Sequence, residues 1–84
     1  MNKLEITIEQ YPDEEFLSAD GFEAAIIGVS EGKLVYSVLK CIIILMIRDE
    51  MSYEDAIEYF DFNVRGAYVG EKTPIWVEDM YFDV

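Results

Sequence analysis

The first apolar segment of the chain alternates with polar residues. Residues 4–9 read LEITIE, with an apolar side chain at every second position. A period of two is typical of a strand that buries one face. Pro12 then breaks the pattern, and the acidic residues 13–22 run to the turn signal Asp20-Gly21. The N-terminal part therefore predicts a strand followed by an acidic loop or a single short helical turn.

The next segment predicts a β-hairpin. Two apolar stretches, residues 24–29 and 34–36, flank the four residues SEGK, which contain a glycine. Paired apolar stretches around a short glycine-containing loop are typical of two adjacent antiparallel strands. The stretch FEAAIIG would also suit a helix, and this alternative stays open.

The most apolar part of the chain, residues 38–47, predicts a helix. Ser37 precedes it as a candidate N-cap, and apolar residues recur at helical spacing up to Arg48. A central strand is the competing interpretation, because consecutive Ile residues favour strands. Such a helix is apolar on nearly every side, so it needs cover from a sheet and from a second helix or another copy of the chain. A homodimer through Ile43, Ile44 and Ile47 would supply that cover.

A second helix is predicted to begin after Ser52. Ser52 followed by Asp55 resembles a capping box, and Gly66 is placed to end the helix as a C-cap. Apolar residues of this segment share one helical face and acidic residues the opposite face. Pro74 introduces the apolar run 75–77, which predicts a strand, and the ending EDMYFDV extends that strand or frays.

These elements predict one α+β domain over residues 1–84. The predicted order is β-ββ-αα-β, with two helices packed as a hairpin on one face of a small antiparallel sheet.

Composition adds an electrostatic character to this fold. The 84 residues include 18 Asp and Glu but only 6 Lys and Arg, for a formal net charge of -12. Nucleic acids and anionic lipids need clustered basic residues, so the chain is not expected to bind either directly. A cationic protein is the expected partner instead.

Missing residue types exclude several chemistries. The chain has no His, so it has neither a Ser-His or Cys-His nucleophile pair nor an ordinary zinc site. The single Cys41 lies in the apolar run VLKCIIILMI, which predicts a core thiol of raised pKa. We therefore expect no enzyme, no cofactor and no catalytic residue.

Targeting signals are also missing from the sequence. The N-terminus has no apolar stretch of the signal-peptide kind, and the ten-residue apolar run is far shorter than the roughly 20 residues that cross a bilayer. The expected protein is soluble and cytoplasmic.

Two acidic clusters and two aromatic residues form the candidate partner-binding surface. Glu54, Glu58 and Asp61 lie on one face of the second helix, about 6 and 4.5 Å apart along its axis. The second cluster and the neighbouring aromatic residues are Asp13, Glu14, Glu15, Tyr59 and Phe62. Aromatic residues beside acidic ones are typical of protein-binding surfaces, where charge steers the encounter. The alternatives are a solvated outer helix face, and aromatic residues that belong to the core or to a homodimer.

The acidic clusters also raise the question of a metal site. Paired carboxylates can hold Mg²⁺ or Ca²⁺ through oxygen. The segment DEEFLSADGFE lacks the ligand spacing of an EF-hand loop. We therefore predict no metal site.

The ending NVRGAYVGEKTPIWV, with the acidic helix before it, resembles a widespread group of small proteins encoded by phages and prophages. The resemblance covers roughly residues 20–77. This group has no settled activity, so the resemblance implies a phage or prophage origin and no catalytic residue.

A phage origin, a small size and a strong negative charge together resemble small anti-defence proteins, including anti-CRISPR inhibitors and DNA mimics. By this analogy we expect a stoichiometric inhibitor of a host nucleic-acid-binding complex in the cytoplasm of the infected cell. A structural or regulatory homodimer without inhibitory activity is the alternative.

Overall fold

Three helices and a three-stranded sheet make up the fold. The computed structural model describes residues 2–68 and 70–80. In chain order the elements are helix α1 (Lys3–Gln10), strands β1 (Ile26–Ser30) and β2 (Lys33–Ser37), helices α2 (Val38–Arg48) and α3 (Tyr53–Tyr59), and strand β3 (Ile75–Val77). The predicted α+β class is confirmed, with the order α-ββ-αα-β.

The predicted N-terminal strand is wrong, since residues 4–9 lie within α1. The Asn2 side chain caps this helix by accepting a hydrogen bond from the Glu5 amide at 2.9 Å. Thr7 is buried, whereas Ile6 and Ile8 are exposed. The buried residue of this helix is Thr7, whose hydroxyl donates a hydrogen bond to the Lys3 carbonyl. The alternation of apolar residues therefore did not indicate which face of the segment is buried. Residues 13–22 form a loop that ends in the predicted turn, where Gly21 has φ 90°.

The predicted β-hairpin is confirmed. Its two-residue loop consists of Glu31 at φ 53° and Gly32 at φ 73°, between the paired residues Ser30 and Lys33. Positive φ at both loop positions gives the turn a backbone twist that matches the two strands. The alternative helix over FEAAIIG is limited to a 3₁₀ turn at Glu23–Ala25.

The sheet is mixed rather than antiparallel. Strand order is β1-β2-β3, and β3 pairs with β2 in parallel, with Val35 opposite Ile75. Helices α2 and α3 lie between these strands in the chain and supply the crossover that parallel neighbours require. β3 ends at Val77, so residues 78–80 do not extend the strand as one prediction had it. Residues 81–84, the rest of that predicted extension, lie outside the described residues.

One hydrophobic cluster joins the two strands of the hairpin to α2, α3 and the loop before β1, and Leu4 of α1 and Trp76 of β3 pack against it partly buried. Its buried members are Ala19, Phe22, Ala25, Ile26, Leu34, Tyr36, Val38, Cys41, Ile42, Leu45, Ala56, Phe60 and Val64. Burial raises the pKa of the Cys41 thiol to about 12, so the predicted core thiol is confirmed. Within the described ranges, no helix is long and apolar enough to span a membrane.

The start of α2 is fixed by a contact from the far end of the chain. The Asp79 carboxylate accepts hydrogen bonds from the Ser37 hydroxyl and from the Leu39 amide, the latter at 2.8 Å. The Ser37 hydroxyl in turn accepts from the Lys40 amide at 3.0 Å, which confirms Ser37 as the N-cap. Burial acts to raise the pKa of Asp79, but these hydrogen bonds outweigh it and lower that pKa below its usual value.

The second predicted helix begins as expected and ends differently. Ser52 accepts a hydrogen bond from the Asp55 amide at 3.2 Å, as the capping box predicts. After Tyr59 the helix widens into a π-helical turn at Phe60–Val64 and then a 3₁₀ turn at Arg65–Ala67. Gly66 is therefore not a left-handed C-cap, and the prediction of that role is wrong. The next glycine in the chain with positive φ is Gly70, at φ 115°.

The substitution Asp79→Asn tests the cap on α2. At pH 7 we expect it to lower the free energy of unfolding by about 1 kcal/mol, because a charged acceptor at a helix N-terminus is lost. A carboxylate with a lowered pKa stabilises the fold fully above its unfolded pKa, near 3.8, and loses that effect as the pH falls through the folded value. The difference from the wild type should therefore shrink below the unfolded pKa. Urea unfolding at several pH values measures it, and a constant difference would contradict the prediction.

Candidate functional site

A solvent-open groove runs along the outer side of α3 and the π-helical turn. Its volume is about 420 Å³. The residues that line it are Met51, Asp55, Glu58, Tyr59, Phe62 and Asn63. We call this feature the α3 groove. It combines aromatic rings with two carboxylates on one face of the molecule.

Helical spacing explains why these side chains share a face. Asp55, Tyr59 and Phe62 lie at positions i, i+4 and i+7, whereas Ala56 and Phe60 point into the core. The π-helical turn comes directly after α3 in the chain. It is closed by a hydrogen bond from the Arg65 amide to the carbonyl of Phe60, five residues earlier. Phe62 lies within this turn and is 76% exposed, although Phe60 is 1% exposed. π-helical turns occur often at functional sites, and this one holds a large apolar ring in solvent.

Three of the predicted partner-binding residues meet in the α3 groove. Glu58, Tyr59 and Phe62 line it together. Glu54 is exposed on the same helix but outside the lining, and Asp61 lies on the other side. The predicted acidic stripe is therefore split. The second carboxylate in the groove belongs to Asp55, and not to Glu54 or Asp61 as predicted.

Asp61 belongs to a smaller cavity of about 180 Å³ on the side of α3 that faces α2. There the Arg65 guanidinium lies 4.0 Å from the Asp61 carboxylate and also pairs with Glu78. The negative charge of Asp61 is therefore partly balanced within the molecule. Val38, Ile42, Tyr53, Ile57, Phe60 and Met80 complete the lining.

The other predicted acidic cluster lies at the hairpin. Asp13, Glu14 and Glu15 are all exposed. Lys72 joins Glu14 at 3.2 Å and donates to the Gly32 carbonyl at the same distance. The structure thus places this loop against the β1–β2 turn, and none of its three carboxylates lines the α3 groove.

The remaining aromatic residues divide between core and surface. Trp76 packs against Tyr36 and Phe60, with ring centroids 5.1 and 5.3 Å away, and Tyr68 lies at 6.4 Å. Tyr59 is 41% exposed. Tyr81 and Phe82 lie outside the described residues. Of the exposed aromatic residues that the structure describes, Tyr53, Tyr59 and Phe62 lie on α3 and its π-helical turn, and Tyr11 lies at the end of α1.

Only two of the three isoleucines predicted for a dimer face on α2 are exposed. Ile47 is 76% exposed and Ile43 43% exposed, four residues apart on one side of the helix. Ile44 is half-buried and packs against the core. Two of the three isoleucines are thus available to another molecule.

Sequence reasoning missed three residues of the groove. Met51, Asp55 and Asn63 line it without having been predicted as site residues. The spacing of Asp55, Tyr59 and Phe62 was a usable signal, because it marks a single helix face. Asn63 follows Tyr59 by four residues, so the same spacing also indicated that it belongs to this face.

The two carboxylates of the groove, those of Asp55 and Glu58, have no ion-pair partner among the described residues. The six basic residues of the chain are elsewhere, and none of them lines the groove. Among residues 2–68 and 70–80, no group of three or more potential ligands could hold a metal ion. The arrangement suits a cationic, partly apolar partner surface.

Comparisons with known proteins give no relative for this site. No protein-family model, no curated protein and no solved structure matches the chain significantly.

A pair of phenylalanine variants tests the exposure of the groove. Phe62→Ala should change the free energy of unfolding by no more than about 0.5 kcal/mol, because the ring is mostly in solvent. Phe60→Ala, two residues away, should cost about 3–5 kcal/mol because it leaves a cavity in the core. Chemical denaturation measures both, with Phe60→Leu as the milder core variant should Phe60→Ala not fold. Equal destabilisation by the two alanine variants would show that Phe62 is buried in solution.

Proposed function

We propose that the chain is a small phage-encoded protein that inhibits a host nucleic-acid-binding defence complex by stoichiometric binding. It acts in the cytoplasm of the infected cell, without enzymatic activity or cofactor. The observation that carries this proposal is the α3 groove, where exposed aromatic rings adjoin two unpaired carboxylates.

Charge supports a basic partner surface. A protein that binds nucleic acid presents clustered Lys and Arg to phosphate. With a net charge of -12, this chain attracts such a surface at short range even at physiological salt, where the Debye length is about 8 Å. Glu54 and Glu58 are both exposed and unpaired among the described residues, so their charge is available for the encounter.

The aromatic residues would contribute binding affinity, in addition to the electrostatic attraction that the acidic residues provide. Exposed charge alone increases association rates and contributes little to affinity at the rim of an interface. Rings such as Phe62 and Tyr59 supply the apolar area that anchors an interface when a partner covers them. The two features together favour a specific complex that excludes nucleic acid from the same surface.

A second candidate function is a structural or regulatory homodimer. It is favoured by Ile47 and Ile43, which expose an apolar strip on α2. A monomer gains nothing from an isoleucine that is 76% exposed, whereas a copy of the same helix would bury it. In this function the acidic surface only maintains solubility.

Charge reversal tests the inhibitor. The tagged protein captures its partner from host lysate at low and high salt, mass spectrometry identifies the partner, and the purified pair is assayed for displacement of nucleic acid. We expect displacement to saturate at a fixed molar ratio. Glu54→Lys combined with Glu58→Lys should weaken it at least tenfold, because the reversed charges repel a basic surface.

The matched control for this test is Glu9→Lys with Glu71→Lys, which makes the same change in net charge at exposed positions away from α3. It should retain most of the displacement. An equal loss in both double variants would show that only net charge matters, and failure to displace nucleic acid would overturn inhibition.

Ile47→Glu tests the homodimer. We expect the wild type to dimerise in a concentration-dependent way and the variant to be a monomer, because a carboxylate would be buried at the centre of the contact. Analytical ultracentrifugation measures both. Ile27→Glu makes the same change at a position that is 48% exposed on β1 and should leave the dimer intact. A monomeric wild type at every concentration would exclude this function.

A further inference from the structure

Both arginines of the chain are held in the same way. The Arg48 guanidinium lies over the Phe22 ring, 5.2 Å from its centroid, and pairs with Asp49 through two hydrogen bonds of 3.2 and 3.1 Å. The Arg65 guanidinium lies over the Phe60 ring at the same distance and pairs with Glu78. In each case the guanidinium lies over a phenylalanine ring and pairs with a carboxylate.

The α3 groove contains the same two kinds of group without a cation. Phe62 and Tyr59 supply exposed ring faces, and Asp55 and Glu58 supply carboxylates. Neither carboxylate has an ion-pair partner in the part of the chain that the structure describes. A ring that is 76% exposed, in one groove with two unpaired carboxylates, is complementary in charge and in chemical character to a planar cation from another molecule.

We propose that the α3 groove binds an arginine side chain of the partner protein. The guanidinium stacks on Phe62 or Tyr59 and donates hydrogen bonds to Asp55 and Glu58. The existence of a partner rests on the proposed function, and this inference names the side chain through which the partner is recognised. The partner is then a protein that presents an arginine at the centre of its basic surface.

Arginine suits the groove better than lysine does. Its guanidinium is planar, so it can stack on a ring while its edge donates two parallel hydrogen bonds to a carboxylate. A lysine ammonium is a compact, strongly hydrated charge and loses more hydration when it meets an aromatic surface. Asn63, which also lines the groove, adds an amide carbonyl that can accept a further guanidinium hydrogen bond.

A peptide titration tests the inference on the isolated chain. The ¹⁵N-labelled protein is titrated at low ionic strength with three capped tripeptides, which are Gly-Arg-Gly, Gly-Lys-Gly and Gly-citrulline-Gly. We expect the arginine peptide to shift the amide resonances of residues 51–63 in a saturable way. Its Kd should be about fivefold lower than that of the lysine peptide, and the uncharged citrulline peptide should produce no saturable shift.

Variants assign the binding to named groups. Phe62→Leu keeps an apolar side chain without a ring and should raise the Kd of the arginine peptide about fivefold. Asp55→Asn with Glu58→Gln should abolish saturable binding. The matched control Glu9→Gln with Glu71→Gln removes the same charge elsewhere and should leave the Kd within about twofold, since distant exposed charges act weakly.

Three results would overturn the assignment. They are equal affinities for the arginine and lysine peptides, resonance shifts outside residues 51–63, and an equal loss of binding in the control variant. Because no partner protein is present, the titration is independent of the displacement assay. Arginine binding without displacement of nucleic acid would support the α3 groove as an arginine site and refute inhibition. Displacement of nucleic acid without arginine binding would support inhibition and refute the arginine site.

Discussion

The edge-to-face contact between Phe60 and Trp76 is the interaction on which the rest of the structure depends. It joins the end of α3 to β3 at a centroid distance of 5.3 Å, and Trp76 continues the contact to Tyr36 on β2. With Phe60 fixed in the core, the two helices between β2 and β3 are closed into a crossover, and β3 is held parallel to its neighbour. The π-helical turn that begins at Phe60 then determines which side chains face outwards. Because Phe60 is buried in the core, Phe62, two residues later in the same turn, points into solvent.

Basic residues are few, and the structure uses them to tie segments together. Arg48 donates to the Gly21 carbonyl at 2.9 Å, Lys72 joins the acidic loop to the hairpin, and Arg65 joins the π-helical turn to residues after β3. With only 6 basic residues against 18 acidic ones, this use leaves most carboxylates unpaired. The repulsion among them opposes compaction, and the buried cluster must outweigh it. Since Asp55 and Glu58 lie in the groove without a cation, a basic partner would relieve part of that repulsion on binding.

Local signals in the sequence were sufficient for much of the fold. The hairpin, the caps at Ser37 and Ser52 and the strand after Pro74 each follow from neighbouring residues, and the structure contains them all. The parallel pairing of β3 could not be read in this way, because it depends on contacts between residues about 40 positions apart. The N-terminal helix was misassigned since a hydrogen-bonded Thr7 occupies its inward position. For the site, helix periodicity predicted Glu58, and aromatic side chains next to acidic ones predicted Tyr59 and Phe62; all three line the groove. The ion pair of Asp61 with Arg65 was not predicted from the sequence.

The two proposed uses of the surface do not exclude each other. The α3 groove and the strip formed by Ile43 and Ile47 are on different helices, so neither contact uses a residue of the other. If copies pair through α2, the dimer carries two α3 grooves. Nucleic-acid-binding complexes present repeated basic surfaces along their ligand, and a bivalent inhibitor gains effective concentration at the second site without any new contact. If both proposals hold, pairing through α2 would let each proposed arginine contact be made twice within one complex, which would raise the overall affinity.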